Sequence, residues 1–442
     1  MKFAKRSIAA FLSLIIVIGS LCVIPVSAAE AADEYDGMRL KLYNRLLGKD
    51  YNPEDAWTKP ITAAITDEAM GYWDTMNKSP VSNAVNGSYR DENDVLLGVD
   101  SSKDYLWEER PLGKRGTASG CWYESNNTQW AYIHLKAMAV AYKTVGSELF
   151  GNRELLADIK MGLKFLYDHH FNPNVIKYGN WYSWELGSPM NLGEIMVMLY
   201  DELTPDEITD YATVLTKYLG KNPAQNTGAN GLWARRVWLY AGILLKDKAW
   251  LDHMKSSLPN FYKYAAGKDG YYTDGTFIQH ETLPYNNGYG ISCLSDSAFL
   301  LYMLSGTQWD MGSSYYDIIY RWLYDSYETV VYDGLAMDSF RRNLHRQHLV
   351  DDERERAGRH SKRFSGYGQT VVQQFLYEGA AQSIRRFRPE HRPPGRQDSG
   401  RRQHCPAQAG EKRPDERRCQ NGSSRGGLRL RNRDDLQAHQ QL

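Results

Sequence analysis

Two side chains able to transfer protons lie close together in the second half of the sequence. His280 closes the stretch DGYYTDGTFIQH, and Tyr289 follows nine residues later in LPYNNGYG. Imidazole and phenol groups are common general acids and bases, although a single histidine is more often structural. Upstream, Asn230 stands in Thr227-Gly228-Ala229-Asn230-Gly231, where the glycines permit close approach of another chain. Its amide is either a functional hydrogen-bonding group or an ordinary helix N-cap.

An aromatic cluster precedes these residues in the sequence. Trp181 and Tyr182 lie in NWYSWELGSP, together with Trp184. Exposed aromatic rings beside amide groups suit sugar rings, which present apolar C–H faces edged by hydroxyl groups. The alternative is that these rings simply pack in the core. The loops that contain all of these residues are rich in Gly, Asn and Tyr, as functional loops on a rigid scaffold often are.

Three further groups of residues have a possible chemical role. Asp168-His169-His170 resembles a metal-ligand run, but adjacent side chains diverge on a helix, which argues against a shared metal. Asp274 and Glu281 are the paired carboxylates that a glycoside hydrolase would need. Arg115, Arg235 and Arg236 either supply positive potential to a cleft or serve in surface and helix packing.

Helices must position these groups, because alternating strand-like runs are scarce. The clearest start is Thr204-Pro205-Asp206-Glu207, which has a capping residue, a first-turn proline and a capping-box glutamate. An apolar stripe follows as far as Gly220, which is expected to end the helix. Similar patterns predict helices over about 129–146, 153–168, 190–202, 231–246, 291–305 and 314–328. The sequence therefore predicts an all-α fold of helical hairpins, an α/α toroid rather than a regular solenoid.

The composition divides the chain into two unlike parts. Aromatic residues make up 12% of the 442 residues and there are five cysteines, which excludes a disordered chain and a disulfide scaffold. Residues 1–340 hold 30 Lys and Arg against 41 Asp and Glu, whereas residues 341–442 hold 23 against 12 and are rich in arginine. All 12 tryptophans lie in the first part.

The N-terminus has the pattern of a secretory signal. A basic head precedes an apolar run from Ile8 to Ile24, and small residues follow up to Ala28, so residues 1–28 are interpreted as a cleaved signal peptide. An uncleaved anchor is the alternative. Export would place the protein outside the cell, where Cys121 and Cys293 could pair, although the sequence does not show that they do.

Taken together, the motifs resemble polysaccharide lyase family 8, the hyaluronate, chondroitin and xanthan lyases. The matching stretches occur in the family's order over about residues 40–340: NWYSWELGSP, TGAN, DGYYTDGTFIQH, LPYNNGYG and Met337-Asp338. The resemblance implies an incomplete α/α toroid, normally followed by a β-sandwich region. It places the catalytic residues at Asn230, His280 and Tyr289 and the substrate-orienting aromatic patch at Trp181 and Tyr182. It also implies β-elimination from a uronate polymer without a metal or organic cofactor.

The resemblance breaks near residue 341. The family's stretch MDxxRGRxxSR supplies a catalytic-site arginine, and deleting one glycine from that pattern aligns Arg342 and Arg346 with two of its arginines. Nothing downstream resembles the β-sandwich region. A change of reading frame near residue 341 accounts for the abrupt exchange of Lys for Arg and the loss of Trp, whereas a genuine basic tail that binds acidic polymer is the alternative. Residues 33–340 are thus interpreted as the toroidal domain and 341–442 as an aberrant, disordered tail.

The sequence therefore predicts an extracellular, monomeric polysaccharide lyase whose partner is an acidic polysaccharide. Hyaluronan or chondroitin-type polymers are favoured as substrates, with xanthan next. Nucleic-acid binding is not expected, nor is membrane association after signal cleavage. Two alternatives remain open, namely a toroidal glycoside hydrolase and an inactive carbohydrate-binding remnant.

Overall fold

The computed structural model describes residues 33–84, 103–112 and 121–328, together with two short strands at 331–332 and 335–336. Helices dominate this part of the chain, which confirms the all-α prediction. They are α1 (Glu34–Leu47), α2 (Thr58–Thr75), α3 (Cys121–Lys143), α4 (Arg153–His169), α5 (Ser188–Met198), α6 (Pro205–Lys217), α7 (Gly228–Leu244), α8 (Lys248–Ser257), α9 (Ile291–Leu304) and α10 (Ser313–Leu323).

The start of α6 shows how local sequence determines a helix boundary. The Thr204 hydroxyl accepts a hydrogen bond from the Glu207 backbone N–H at 3.2 Å, and the Glu207 carboxylate accepts one from the Thr204 N–H at 2.8 Å. This reciprocal capping box satisfies two N–H groups that lack partners inside the helix. Lys160 of α4 also contacts the Glu207 carboxylate at 3.0 Å, so the cap is joined to the neighbouring helix.

The helices pack as hairpins around α7. This helix contacts α5, α6, α8 and α9, and nearly all of its residues are buried. A helix that is buried on nearly every side belongs in the interior, which agrees with the toroidal architecture of paired helices. The first helix closes the arrangement, since α1 packs against α5, α7 and α9, and the Lys41 ammonium donates to the Ser305 carbonyl at 2.6 Å.

A small antiparallel sheet interrupts the helical pattern between α8 and α9. Its strands are β1 (Gly270–Tyr271), β2 (Phe277–Gln279) and β3 (Leu283–Pro284), in the order β1-β2-β3. Gly270 pairs with Ile278, and Gln279 pairs with Leu283. A second hairpin joins β4 (Val331–Tyr332) to β5 (Leu335–Ala336). The sequence predicted only a loop over residues 269–290, so this sheet is a correction that bears directly on the site.

Three short π-helical turns accompany the hairpins, at Ser183–Gly187, Asn286–Gly290 and Tyr324–Glu328. Such turns frequently occur at functional sites, because the wider turn redirects side chains. The first follows Trp181 and Tyr182 directly, and the second contains Tyr289. Within the described ranges, none of the helices combines the length and hydrophobicity that crossing a bilayer requires.

Candidate active site

Five aromatic side chains from four segments of the chain form one continuous row. The ring centroids of Trp181 and Tyr182 are 6.1 Å apart, those of Tyr182 and Trp233 5.7 Å, and those of Trp233 and Tyr289 5.9 Å. The row ends at His280, whose imidazole meets the Tyr289 ring edge-on, with the centroids 5.1 Å apart and the planes at 86°. The two residues predicted to transfer protons are therefore in contact, at the end of the row opposite to the predicted aromatic patch of Trp181 and Tyr182.

Asn230 lies in the first turn of α7 but does not cap it. The N-cap is Thr227, so Asn230 is the third residue inside the helix, and only 6% of it is exposed. Within the described part of the chain, the Asn230 side-chain amide makes no hydrogen bond. The ordinary N-cap interpretation is therefore wrong. The amide is free to bind a ligand at the positive end of a helix dipole, where negative charge is stabilised.

His280 occupies a strained backbone turn at the end of β2. Its φ is +54° and that of Glu281 is +65°, so two consecutive non-glycine residues adopt the left-handed conformation. Such positions cost about 1–3 kcal/mol each and persist only where the surroundings enforce them. The Thr282 N–H donates to the His280 carbonyl at 2.8 Å, and the Glu281 N–H donates to the Asp269 carboxylate at 2.8 Å. His280 as a whole is exposed.

Tyr289 is held by two buried tyrosines beneath its π-helical turn. The Tyr271 hydroxyl donates to the Gly290 carbonyl at 2.7 Å, and the Tyr327 hydroxyl donates to the Asn286 carbonyl at 2.9 Å. Gly290 is required there, because a Cβ atom would lie 2.7 Å from the Tyr327 hydroxyl oxygen. The backbone on both sides of Tyr289 is thus fixed from below, whereas its ring remains half-buried.

The phenols of the row are held in their protonated form. Burial, and secondarily the neighbouring Tyr285 phenol, raises the pKa of Tyr289. Burial also raises the pKa of Tyr182 to about 12. Both groups are therefore neutral hydrogen-bond donors near pH 7, which suits Tyr289 to the role of a general acid.

A buried charge network underlies the row. The Arg236 guanidinium donates to the Asp296 and Glu194 carboxylates, each at 2.8 Å, and the Lys136 ammonium donates to Glu194 at 3.1 Å. Burial raises the pKa of Asp296, and Arg236 and the nearby Trp233 side chain oppose that effect, so the network lies close to the central ring of the row. Burial of paired charges requires this degree of mutual compensation, because an unpaired charge in the interior is costly.

Residues 43–376 match the model of a family described as the N-terminal alpha-helical domain of polysaccharide lyase family 8. The chain belongs to polysaccharide lyase family 8. The match confirms the family that the motifs indicated and extends past residue 341, so the domain boundary placed there stays a prediction.

Relatives within family 8 include enzymes named for different polymers. The chain is 32% identical over 329 residues to a xanthan lyase from Bacillus sp. strain GL1, covering 73% of this chain and 32% of that protein. It is 27% identical over 322 residues to a hyaluronate lyase from Thermasporomyces composti, covering 73% and 37%. The chain thus spans about a third of the length of these curated relatives.

Solved structures show the same helical fold. The structure of Paenibacillus xanthan lyase superposes with a TM-score of 0.60 at 35% identity, over 70% of this chain and 26% of that one. Streptomyces coelicolor A3 chondroitin AC lyase, in complex with chondroitin sulphate, also gives a TM-score of 0.60, at 26% identity over 70% and 38%. The toroidal fold predicted from the sequence is confirmed.

The structure brings most of the residues predicted for the site into one place. Trp181, Tyr182, His280 and Tyr289 lie in the aromatic row, and Asn230 is joined to it through its neighbour Ala229, whose N–H donates to Gln279 at 3.3 Å. Arg342 and Arg346 lie outside the described residues, as do Met337-Asp338, Arg115 and the N-terminal 28 residues. Their roles stay predictions.

Several site residues were missed by sequence reasoning. Trp233 was not recognised, although it lies three residues after Asn230 and therefore shares its helix face. Asp269 and Gln279 lie inside the quoted motif but were not assigned a role. Asp296 carried no signal, because a buried acid in an apolar helix is recognised only from its partner.

Asp168, His169 and His170, which resembled a set of metal ligands in the sequence, each bind a different partner within the protein. The His170 imidazole lies 2.7 Å from a buried Asp104 carboxylate oxygen, and the His169 imidazole bonds the Ala84 carbonyl at 3.0 Å. Asp168 accepts a hydrogen bond from Lys164 at 2.7 Å. The three side chains diverge, as adjacent residues at a helix end should.

The arginines considered for the cleft are engaged in the interior. Arg235 bonds the Ser257 hydroxyl at 3.0 Å and the Gly231 carbonyl at 3.0 Å, and burial lowers its pKa to about 9. Arg236 is neutralised by its two carboxylate partners. The packing interpretation therefore holds for both. Cys293 is a buried free thiol. The Cys121 side chain lies outside the described part of the structure, so the pairing of the two cysteines stays a prediction.

Proposed function

We propose that this chain contains the catalytic domain of a secreted lyase that cleaves a uronate-containing polysaccharide by β-elimination. The observation that carries the proposal is the contact between His280 and Tyr289, together with the unpaired Asn230 amide, whose neighbour Ala229 is hydrogen-bonded to Gln279, the residue before His280. A proton-accepting group, a protonated phenol and a carboxyl-binding amide are the three components that an elimination next to a carboxylate needs. The aromatic row extends from them as a surface on which sugar rings can stack.

The reaction follows from the chemistry of the uronate ring. The Asn230 amide donates a hydrogen bond to the carboxyl group attached to C5, stabilising the negative charge that develops there. His280 removes the C5 proton, the electron pair forms the C4–C5 double bond, and the C4–O glycosidic bond breaks. Tyr289 protonates the departing oxygen, a role for which its phenol carries the proton, since burial raises its pKa further above neutral pH.

The contact between the two rings provides a way to restore the starting state. After the reaction His280 carries the extra proton and Tyr289 has lost one. Because the two rings are in edge-on contact, with centroids 5.1 Å apart, the proton has only a short distance to travel from the imidazolium back to the phenolate. The catalyst is then regenerated with atoms and charges balanced.

The relatives narrow the substrates to be tested. They carry the names of xanthan, hyaluronate and chondroitin AC lyases, and elimination from a uronate is the shared chemistry. The identity to the xanthan lyase is 32% and that to the hyaluronate lyase is 27%, so xanthan must be tested as a candidate substrate together with the glycosaminoglycans. An acidic polymer also suits Asn230 and the positive end of α7.

The test is to incubate the protein with xanthan, hyaluronan and chondroitin sulfate and record ultraviolet absorbance, because elimination creates a conjugated unsaturated uronate. We expect absorbance to rise on at least one polymer. Tyr289→Phe should abolish the rise while leaving polymer binding intact, because only the proton-donating hydroxyl is lost. Tyr302→Phe is the matched control, since Tyr302 is an exposed tyrosine outside the aromatic row.

Other outcomes identify the alternatives. New reducing ends without absorbance would indicate hydrolysis, and binding without any product would indicate a carbohydrate-binding remnant. The structure disfavours Asp274 and Glu281 as a hydrolytic pair. Backbone and side-chain hydrogen bonds from Thr276 lower the pKa of Asp274, whereas a general acid needs a raised one. Glu281 is exposed and pairs with Lys268 at 3.4 Å.

Secretion, the domain boundary and the monomeric state belong to the same proposal. Cleavage after Ala28 predicts that protein recovered from the culture medium begins at residue 29. Translating the gene's other frames beyond the codon for Phe340 tests the interpretation of the tail. A frame that continues the family's arginine stretch supports a frameshift, and the lack of one contradicts it. Sedimentation of the purified protein tests for a monomer.

A further inference from the structure

The Asp269 carboxylate accepts three hydrogen bonds, one from the residue before α7 and two from the residues on either side of His280. One of its oxygens accepts from the Thr227 hydroxyl at 2.8 Å and from the Gln279 amide at 2.7 Å. The other oxygen accepts from the Glu281 backbone N–H at 2.8 Å. Thr227 precedes α7, whereas Gln279 ends β2 and Glu281 lies in the strained turn, so a single side chain joins the start of α7 to both sides of His280.

Gln279 extends this connection into the first turn of α7. Its side chain is buried, with 1% of the residue exposed, and its amide oxygen accepts the Ala229 N–H at 3.3 Å. Gly228 makes this approach possible. Its φ is +51°, and a Cβ atom there would lie 2.3 Å from the Gln279 amide oxygen and 3.2 Å from the Asp269 Cβ. The helix and the strand are therefore in direct contact only because this position has no side chain.

The two central residues of the proposed site are each one residue away from this connection. Ala229 precedes Asn230, whereas Gln279 and Glu281 flank His280. His280 is exposed and has a left-handed backbone, so its own packing does not fix it. A strained turn relaxes unless its surroundings hold it. The hydrogen bonds of Asp269 and Gln279 supply that restraint.

We propose that Asp269 and Gln279 are positioning residues for the elimination, forming a carboxylate–amide clamp that fixes the Asn230 amide relative to the His280 imidazole. This inference rests on the proposed function. Neither side chain is assigned contact with substrate. They act by fixing two backbone segments, and an error of about 1 Å in the placement of reacting groups can cost about 100-fold in rate.

The polarity of the clamp offers a specific test. In Asp269→Asn, the new side-chain N–H group faces the N–H group of Gln279. The Gln279 amide must then rotate, which turns its own N–H toward the Ala229 N–H and breaks that hydrogen bond. We expect kcat to fall by about 100-fold, with KM unchanged within about threefold. The matched control is Asp310→Asn, an exposed carboxylate that accepts the Gly306 and Gly312 N–H groups, each at 2.8 Å, in the loop before α10.

Reversing both partners should restore the clamp. In Asp269→Asn with Gln279→Glu, the introduced asparagine donates from its amide to the introduced glutamate, whose carboxylate still accepts the Ala229 N–H. The amide oxygen of that asparagine still accepts the Glu281 N–H, and the Thr227 hydroxyl can act as an acceptor. We expect the double variant to regain most of the lost kcat. A role limited to overall stability predicts no such recovery from a second substitution of a buried residue.

Hydrogen exchange at the Ala229 and Glu281 amides separates failure of the clamp from failure of the proposed function. We expect faster exchange at both amides in Asp269→Asn, normal exchange in Asp310→Asn and recovery in the double variant. If the wild-type protein eliminates no polymer, the proposed function fails, while the exchange data still decide whether the clamp exists. Unchanged exchange together with unchanged kcat in Asp269→Asn would overturn the clamp. If that variant does not fold, Thr227→Val removes a single donor and should give a smaller effect in the same direction.

Discussion

Replacing Arg236 by methionine should destabilise the protein, because it leaves the buried carboxylates beneath the aromatic row without their guanidinium partner. Methionine keeps much of the aliphatic bulk but removes both 2.8 Å ion pairs, to Asp296 and to Glu194. It also removes the hydrogen bonds to the Tyr240 hydroxyl, at 2.9 and 3.2 Å. Glu194 keeps its contact with Lys136, whereas Asp296 keeps, within the described part of the chain, only the weaker electrostatic influence of Trp233 and Arg45.

The expected loss in the free energy of unfolding is large for a single substitution. Breaking a buried ion pair by removing one partner typically costs about 3–5 kcal/mol, because the remaining charge is left uncompensated. Arg236 serves two such carboxylates, of which Glu194 has a second cation, so we expect a loss near the middle of that range, about 4 kcal/mol near pH 7.5. Domains are commonly stable by only about 5–15 kcal/mol, so the variant should be close to the limit of folding at ambient temperature.

The difference in the free energy of unfolding between the wild type and Arg236→Met should become smaller as the pH falls. Burial raises the pKa of Asp296 against the opposing effect of Arg236, whereas Lys136 and Arg236 lower the pKa of Glu194 despite its burial. Without Arg236 both pKa values rise. An acid with a raised folded-state pKa loses stability as the pH rises through that pKa and regains it when protonated. Each carboxylate that titrates can close the gap to the wild type by at most about 1.4 kcal/mol per pH unit.

Urea unfolding of the full chain at several pH values between about 5 and 7.5 measures the difference in the free energy of unfolding between the wild type and Arg236→Met. Arg321→Met is the matched control, because Arg321 lies exposed on α10, and surface changes of this kind usually stay within about 0.5 kcal/mol. A gap that is the same at both ends of the pH range, or an Arg236→Met protein as stable as the control, would refute the assignment of buried charge compensation to this network.

Two further substitutions test the surroundings of the site. Tyr327→Phe removes the hydroxyl that donates to the Asn286 carbonyl and contacts Tyr271 at 2.9 Å; it should cost about 1–3 kcal/mol in urea unfolding and lower kcat by loosening the Tyr289 turn. Equal kcat in that variant would contradict the support assigned to Tyr327. His134 stacks on Tyr72 with ring centroids 3.9 Å apart, and burial lowers its pKa to about 4. The unfolded protein binds a proton at this histidine near pH 6.5, whereas the folded protein does so only near pH 4, so the free energy of unfolding should fall by up to about 3 kcal/mol as the pH falls between these values. His134→Phe should make this decline less steep. The same slope in the variant as in the wild type would contradict the assignment to His134.

Helices with an apolar stripe or a clear cap were predictable from the sequence. The α6 boundary at Thr204 and the helices beginning at Arg153 and Ile291 were located within a residue or two. Helices α1, α2 and α8 were missed, because their buried faces give little apolar periodicity. The buried residues of α2 are two threonines and an alanine, and those of α8 are only Leu251 and Met254. These faces are recognisable only once their neighbours are in place.

The small sheet was also missed, for a related reason. Its strands contain only two or three residues, too few to show alternation. They are stabilised by groups outside the sheet, such as the Asn286 side chain, which accepts the Phe277 N–H at 3.0 Å and donates to the Gly275 carbonyl at 2.8 Å. Such tertiary contacts leave no local periodic signal.

The sequence by itself determined the types of the reactive groups and the helical fold class. Amide, imidazole, phenol and indole groups occur in ordered motifs, and apolar periodicity and caps are local properties that the chain carries without folding. Tertiary structure alone decided how those groups meet: that Asn230 is free rather than a cap, that Trp233 continues the row between Tyr182 and Tyr289, and that Asp269 joins distant segments. These are properties of side chains brought together across long stretches of sequence, and hydrogen bonds and charge compensation between them exist only after packing has fixed their distances.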